Sequence, residues 1–190
     1  MRVWHLYCMK AHVMKIIFLD IDGVLNSLTS KRDTSGRFGR QAFENFKLIL
    51  GKLPDTVVVV TSLWRYHYTL PEMKEYFHEV GVDPHRIVDM APDLRRNDGV
   101  ICDYPGRGEE IRAWLAQHPD VDRFAILDDV DLAQMAGLEE HFFQTEFDEG
   151  LLYEQSLNII DHLRRDEHEK DTGMDRKEGR EHERHNTSTV

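Results

Sequence analysis

Apolar runs of strand length recur along the chain and are separated by segments with helical spacing. The runs, rich in Val, Ile, Leu and Phe, lie at residues 15–19, 56–60, 86–89, 123–127 and 141–145. Apolar residues three or four positions apart predict helices at residues 41–52, 70–80, 106–118 and 153–165. A continuous apolar run bounded by turn residues is typical of a strand buried on both faces. The alternation therefore predicts an α/β fold, a doubly wound parallel sheet with helices on both faces.

The first apolar run ends in Asp20 and Asp22, followed by Gly23. Two-residue spacing in an extended segment predicts that both carboxylates converge at the carboxyl end of the strand, where α/β sheets bind ligands. Gly23 allows a sharp turn there. Two close carboxylates repel each other, and Mg²⁺ is the natural cation to lie between them. Taken alone, the two aspartates could equally be helix caps or turn residues.

Polar groups also follow two later strands. Thr61, Ser62 and Arg65 follow the second strand, and Asp128 and Asp129 follow the fourth. A hydroxyl at the end of a strand can donate to a phosphoryl oxygen, and an arginine can add a charged fork. The alternative for Thr61 or Ser62 is a helix cap. Because the carboxyl ends of parallel strands meet at one edge, the groups are expected to form one site.

Arg107 lies in the first turn of a predicted helix, between the second and fourth strands. The helix dipole favours Glu109 and Glu110 at this position and disfavours a cation. This placement suggests that Arg107 acts on something outside the helix. The alternative is an ordinary surface arginine.

Composition narrows the range of functions. The 190 residues suit one domain, and a net charge of −11 argues against broad nucleic-acid binding. No apolar run reaches the length of a membrane span, and residues 1–13 fail as a signal peptide. Cys8 and Cys102 form no disulfide framework, so we expect a cytoplasmic protein. We also expect three segments: an extension at 1–13, with Met14 an alternative start, a domain at 14–165, and a disordered charged tail at 166–190.

Two loops carry local positive charge in this acidic chain. Residues 27–40 contain Lys31, Arg32, Arg37 and Arg40, and residues 91–106 contain Arg95 and Arg96. The first loop is interpreted either as a flap over the strand end or as a solvated surface loop. Charge beside a phosphate site would help to bind a substrate.

The order of these motifs resembles that of the haloacid dehalogenase (HAD) superfamily of phosphohydrolases. Residues 18–26, 61–65, 107–115 and 127–129 are most similar to the subgroup of HAD domains in RNA-repair (Swiss-army-knife) proteins. The resemblance covers about residues 15–163. One departure is that Arg107 stands where the superfamily usually has lysine. Receiver domains are disfavoured because their acid motifs come in the opposite order, and nucleotide-binding folds because the chain lacks their glycine motif.

The resemblance implies a role for each matching residue. Asp20 would be the nucleophile that forms an aspartyl-phosphate, and Asp22 the general acid and then base. Thr61 would bind the transferring phosphoryl group and Arg107 would offset its charge, with Ser62 and Arg65 assisting in substrate binding. The resemblance also implies a Mg²⁺ cofactor, with its ligands drawn from Asp20, Asp22 (through its backbone carbonyl), Asp128 and Asp129.

The spacing of the motifs leaves room for a minimal cap or none. An open site predicts a bulky phosphorylated substrate, such as a nucleic-acid end or a phosphoprotein, or a cap from another subunit. The basic residues of the two loops would then meet the substrate. The alternatives are a phosphatase of small metabolites or nucleotides, and a non-catalytic protein that binds phosphate or a partner on the same scaffold.

Overall fold

The computed structural model describes residues 14–29, 38–97, 102–103 and 106–164. Its strands are β1 (Met14–Leu19), β2 (Thr56–Val60), β3 (Ile87–Met90), β4 (Arg96–Asn97), β5 (Cys102–Asp103), β6 (Val121–Asp128) and β7 (Phe142–Gln144). Its helices are α1 (Arg40–Lys52), α2 (Leu70–His78), α3 (Arg107–Leu115) and α4 (Tyr153–Arg164). Short 3-10 turns connect several of these elements.

Five of the strands form one parallel sheet in the order β3-β2-β1-β6-β7. The chain builds outward from β1 through β2 to β3 and then returns to the other side of β1 to add β6 and β7. The direction of winding reverses between β1 and β6, and in sheets of this kind the crevice outside those strand ends binds ligands. The predicted α/β fold is confirmed. The polar residues that follow β1, β2 and β6 lie at this edge.

Each side of the sheet has its own apolar core, because alternate residues of β1 point to opposite faces. Ile17 and Leu19 belong to the core beneath α1, α2 and α4. Ile16 and Phe18 belong to the core beneath α3, where Phe18 meets Trp114 edge to face with ring centroids 5.4 Å apart. Helices therefore cover both faces, and within the described part of the chain the second face carries one α-helix, α3.

The lone helix α3 approaches the segment after β6 unusually closely. Gly106 precedes the helix with φ +96°, a conformation that favours glycine. A Cβ atom at Gly108 would overlap the backbone carbonyl oxygen of Gln134. The side-chain carbonyl of Gln134 also accepts the Arg107 N–H at 3.3 Å. These contacts fix the start of α3 against the segment that follows β6.

Element boundaries follow the apolar pattern closely. The strand predicted at 56–60 has those bounds, and the helix predicted at 70–80 ends at His78. The segment at 91–106, predicted as a loop, contains the short antiparallel pair β4 and β5. The predicted N-terminal extension, the basic residues Lys31, Arg32 and Arg37, and the charged tail lie outside the described residues. Within the described ranges, none of the helices has the length and apolarity to cross a membrane.

Candidate active site

Three carboxylates meet at the carboxyl ends of β1 and β6. Asp20 follows β1 directly, and its N–H donates to the carbonyl of Leu127 at 2.9 Å, which places it beside β6. Asp128 ends β6 and Asp129 follows it. Carboxylate oxygens of Asp20, Asp128 and Asp129 all lie within 4.8 Å of one another. The sheet order explains this proximity, because β1 and β6 are neighbours although they are about a hundred residues apart in sequence.

Burial of these carboxyl groups disfavours their ionised forms and raises their pKa values. Asp128 is fully buried, and burial together with the charge of Asp20 raises its pKa to about 7, although Arg107 lowers it. Burial also raises the pKa of Asp20, against the lowering effects of Arg107 and of hydrogen bonds from Ser62 and the Ile21 N–H. The pKa of Asp129 is raised by burial and then by Asp20. Such a cluster is stabilised by any cation that can enter it.

Arg107 supplies one positive charge from the first turn of α3. Its Nε donates to Asp128 Oδ2 at 2.8 Å, and its Nη2 lies 3.5 Å from Asp20 Oδ2. Only 4 % of the residue is exposed, so the ordinary surface position considered for it does not occur. The planar guanidinium can face two carboxylates at once, which a lysine ammonium does less rigidly. The positive charge of Arg107 therefore attracts the carboxylates at the ends of both β1 and β6.

Glu110 holds the two arginines of the site together, and the sequence did not indicate this role. It is fully buried one turn after Arg107, with its Oε2 3.4 Å from Arg107 Nη1 and its Oε1 2.6 Å from Arg65 Nη2. The Nη1 of Arg65 also donates to the carbonyl of Ala91 at 3.3 Å. Arg65 is thus engaged by Glu110, and its predicted charged fork is not open to solvent. The i,i+3 spacing of Arg107 and Glu110 was the available signal.

The hydroxyls of Thr61 and Ser62 have different surroundings. Thr61 follows β2 beside Asp20, its N–H donating to Leu19 O at 2.8 Å, and its fully buried hydroxyl has no hydrogen-bond partner among the described residues. A buried hydroxyl without a partner is unfavourable unless a ligand completes it. Ser62 accepts the N–H of Trp64 at 3.4 Å and also donates to Asp20. Ser62 therefore caps a turn, the alternative considered above, and also orients a carboxylate.

The side chain of Asp22 is not one of the three grouped carboxylates, but it lies near enough for its charge to act on Asp20 and Asp129 and raise their pKa values. Strand pairing ends at Leu19, and a tight turn follows in which the N–H groups of Leu25 and Asn26 donate to Ile21 O at 2.8 and 3.0 Å. This turn ends the two-residue alternation, so Asp22 is exposed. Its Oδ2 accepts Trp64 Nε1 at 2.8 Å and its Oδ1 accepts Asn26 Nδ2 at 3.1 Å.

The residues present fit a hard divalent cation. Asp20, Asp128 and Asp129 offer only oxygen, which is the ligand type that Mg²⁺ takes. Gly23, with φ +79°, lies against the carboxylate of Asp129, and a Cβ at this position would overlap it. Glycine is therefore required here both by its conformation and by the close approach of a proposed ligand. Of the four predicted metal ligands, the structure groups the side chains of three.

The predicted basic rim is only partly described. Arg95 lies over the ring of Tyr66, with its guanidinium carbon 3.9 Å from the ring centroid, and pairs with Asp93 at 3.2 Å. Arg40 is the first residue of α1. Lys31, Arg32 and Arg37 lie outside the described residues, and nothing is described of the Arg96 side chain. Contact of this rim with a substrate stays a prediction.

The family is shown by sequence comparison. A family model described as the HAD domain in Swiss Army Knife RNA repair proteins matches residues 16–156, which include every residue of the site. The chain therefore belongs to this family, as its motif order suggested. No curated protein and no solved structure is significantly similar to the chain.

Proposed function

We propose that this HAD-family domain is a Mg²⁺-dependent phosphomonoester hydrolase that acts through an aspartyl-phosphate. Membership of the family supports a phosphohydrolase-type function. The observation that carries the proposal is the placement of Asp20 at the end of β1, close to the charge of Arg107 and to the carboxylates of Asp128 and Asp129. A nucleophilic carboxylate beside groups that neutralise phosphate charge is what phosphoryl transfer needs.

In the first step, a carboxylate oxygen of Asp20 attacks phosphorus, and the bond from phosphorus to the leaving oxygen breaks. The hydrogen bonds from Ser62 and from the Ile21 N–H, the latter 2.8 Å long, hold the carboxylate in place. Asp22 gives its proton to the leaving oxygen, which departs as an alcohol. The product of this step is Asp20 phosphorylated on its side chain and Asp22 ionised.

In the second step, Asp22 takes a proton from a water molecule that attacks the phosphorus of the phosphorylated Asp20. The bond between phosphorus and the Asp20 oxygen breaks, inorganic phosphate leaves, and both aspartates return to their starting states. Arg107 offsets the charge of the phosphoryl group throughout, and the free hydroxyl of Thr61 is available to donate to one of its oxygens.

The cation would be held by the side chains of Asp20, Asp128 and Asp129 and by the backbone carbonyl of Asp22. When bound, Mg²⁺ would neutralise charge on the phosphoryl oxygens and lower the repulsion between these carboxylates and the phosphate. Burial, and to a smaller extent repulsion between neighbouring carboxylates, raises the pKa values of Asp20, Asp128 and Asp129, and a bound cation would oppose both effects.

For the substrate we propose a phosphate on a bulky molecule, with a nucleic-acid end as the first candidate. The described residues hold no cap domain, and α1 is the next helix or strand after β1 within them. A large substrate could itself exclude water from an open site. Small nucleotides, phosphopeptides and a cap supplied by a partner are the alternatives. If Arg32→Ala and Arg95→Ala leave kcat/KM unchanged on every accepted substrate, the proposed role of the basic loops is wrong.

The first experiment measures Mg²⁺-dependent release of p-nitrophenol from p-nitrophenyl phosphate. Asp20→Asn should abolish turnover, because the amide is not a nucleophile, while Asp148→Asn, an exposed aspartate at the same edge, should retain it. Activity that needs Mg²⁺ and Asp20 would justify comparing 3′-phosphorylated oligonucleotides, nucleotides and phosphopeptides. Turnover that survives Asp20→Asn would contradict the proposal.

A non-catalytic phosphate-binding protein on the same scaffold is the second candidate. It would bind Mg²⁺ and phosphate in calorimetry and release no product from any phosphomonoester. The retention of both Asp20 and Asp22 disfavours it, since a protein that only binds phosphate has no use for the second acid.

A further inference from the structure

Trp64 and Asn26 both contact the side chain of Asp22, and Trp64 does so from the loop after another strand. It lies in the 3-10 turn Leu63–Tyr66 that follows β2, and its indole Nε1 donates to Asp22 Oδ2 at 2.8 Å. The bond joins the loop after β2 to the loop after β1. Asp22 is exposed, so without a partner its carboxyl group would sample several rotamers.

An aromatic cluster fixes the position of the indole. The Trp64 ring stacks on Tyr68 with centroids 5.5 Å apart and on Phe38 at 6.1 Å, and it meets Tyr76 edge to face at 5.2 Å. Phe38 is itself fully buried against α1 and α2. The Trp64 ring is therefore packed on several sides, and its Nε1–H is held in one direction.

The chemistry of the two donors determines how the carboxyl group is turned. An indole N–H can only donate, so Oδ2 faces Trp64, while Oδ1 faces the Asn26 amide at 3.1 Å. The plane of the carboxyl group is fixed by these two bonds, and so are the remaining lone pairs that can carry a proton. Proton transfer to a leaving oxygen depends on that orientation.

We propose that Trp64 is a positioning residue that orients Asp22 for proton transfer to the leaving oxygen. The inference rests on the proposed function, because it needs Asp22 to act as the general acid. Beyond that function, it assigns to Trp64 the orientation of Asp22, through the hydrogen bond from Nε1 to Oδ2. The hydrogen bond from Trp64 goes to the side chain of Asp22, whereas the proposed metal ligand is the backbone carbonyl of that residue, so the effect of Trp64 depends on the leaving group.

The leaving group provides the test. An alkoxide needs a proton as it departs, whereas p-nitrophenolate leaves readily without one. Trp64→Phe keeps an aromatic ring in the cluster and removes the N–H. We expect it to lower kcat/KM for β-glycerol phosphate by about 10- to 100-fold. The same variant should lower kcat/KM for p-nitrophenyl phosphate by less than about threefold, since kcat/KM covers steps only up to departure of the leaving group.

The matched control is Tyr68→Phe, which removes a polar group from the same stack without touching Asp22. It should leave the ratio of the two kcat/KM values at the wild-type value. In an Asp22→Ala background, Trp64→Phe should have no further effect on that ratio, because the group that it positions is gone. If Trp64→Phe does not fold, benzothienylalanine at position 64 keeps the shape of the indole and removes only its donor.

Three results would overturn the inference. One is an equal loss of kcat/KM on both substrates, which would indicate a general structural role. Another is unchanged kinetics on both. The third is a wild-type protein without Asp20-dependent turnover of any phosphomonoester, which would overturn the proposed function and this inference with it. In the first two cases wild-type activity stands and only the inference fails.

Discussion

Asp20 and Asp22 are two residues apart and have opposite surroundings. Asp20 is 7 % exposed and lies among the charged groups of Arg107, Asp128 and Asp129. Asp22 is exposed and its carboxylate accepts from two neutral donors, Trp64 and Asn26. The turn that begins after Leu19 produces this difference by carrying the second aspartate out of the sheet edge.

In the proposed mechanism, this one short motif supplies two kinds of chemistry. The buried carboxylate of Asp20 would be held rigidly beside the proposed cation site and presented to phosphorus. A carboxylate at the surface, oriented by neutral donors, can exchange protons with solvent and with a leaving group. Changes to the buried side should therefore alter stability and metal binding, and changes to the exposed side should alter proton transfer alone.

The largest effect on the buried side is expected from Arg107→Met. It would leave Asp20, Asp128 and Glu110 without their shared cation, and breaking a buried ion pair from one side costs about 3–5 kcal/mol. Urea unfolding without Mg²⁺ at pH 8 measures this loss. Arg107→Lys retains the charge and should lose less. A methionine variant as stable as wild type would show that Arg107 does not balance the cluster.

The pH dependence of stability should come next. The pKa of Asp128 is raised to about 7 by burial and by Asp20, so the folded protein holds this proton more tightly than the unfolded chain does. The resulting stabilisation is fully present below the unfolded pKa and is lost as pH rises through about 7. Without metal, we expect a fall on the order of 2 kcal/mol between pH 5 and 8.

Mg²⁺ should reverse this trend, because it binds ionised carboxylates and competes with their protons. Thermal unfolding at pH 6 and pH 8, with and without Mg²⁺, tests this, and the gain in Tm should be larger at pH 8. Asp128→Asn should flatten the metal-free pH dependence. A metal-free stability that rises from pH 5 to 8 would contradict the assignment.

A smaller effect is expected from Glu110→Gln. The amide keeps its shape but loses the charge that pairs with Arg65 and Arg107, and we expect a loss of about 1–3 kcal/mol on unfolding. Glu109→Gln is the matched control on the neighbouring, exposed position, where the pair with Arg112 is open to solvent. The control should be indistinguishable from wild type. Equal stabilities of the two variants would refute a bridging role for Glu110.

The smallest effect on stability is expected from Gly23→Ala, compared with Gly137→Ala. Both glycines have φ +79°, but a Cβ at Gly137 has open space around it and one at Gly23 would overlap Asp129. The shared backbone strain cancels in the comparison, leaving an excess of about 1 kcal/mol at position 23. Mg²⁺ affinity, measured by calorimetry, should fall only for Gly23→Ala. Equal Mg²⁺ affinities would exclude Asp129 as a ligand that needs this space.

The sequence predicted the sheet well because buried parallel strands are continuous apolar runs. The run at residues 56–60 and its bounds are an example, and the edge position of Asp20, Thr61 and Asp128 followed from strand ends alone. Arg107 was found from its unfavourable place at a helix start. Such inferences depend on local pattern and on the rule that parallel strand ends meet.

The parts that the sequence did not predict depend on tertiary contacts. Glu110 was interpreted as a complement to the helix dipole, and only the packing of α3 on the sheet shows that it is buried between two arginines. No sequence pattern indicated a role for Trp64, because its contact with Asp22 depends on the turn that follows β1. The hydrogen bonds of Asp22 to Trp64 and Asn26 were not predicted, because they depend on the turn that replaces the strand after Leu19.

The close contact at Gly108 has a practical consequence for anyone who sets out to improve this protein. Replacing a glycine inside a helix by alanine usually gains stability, since alanine is the better helix former. Here the added methyl group would overlap the Gln134 carbonyl oxygen and push the start of α3 away from the segment that follows β6. A substitution that usually stabilises a helix would therefore destabilise this protein, at the residue next to Arg107.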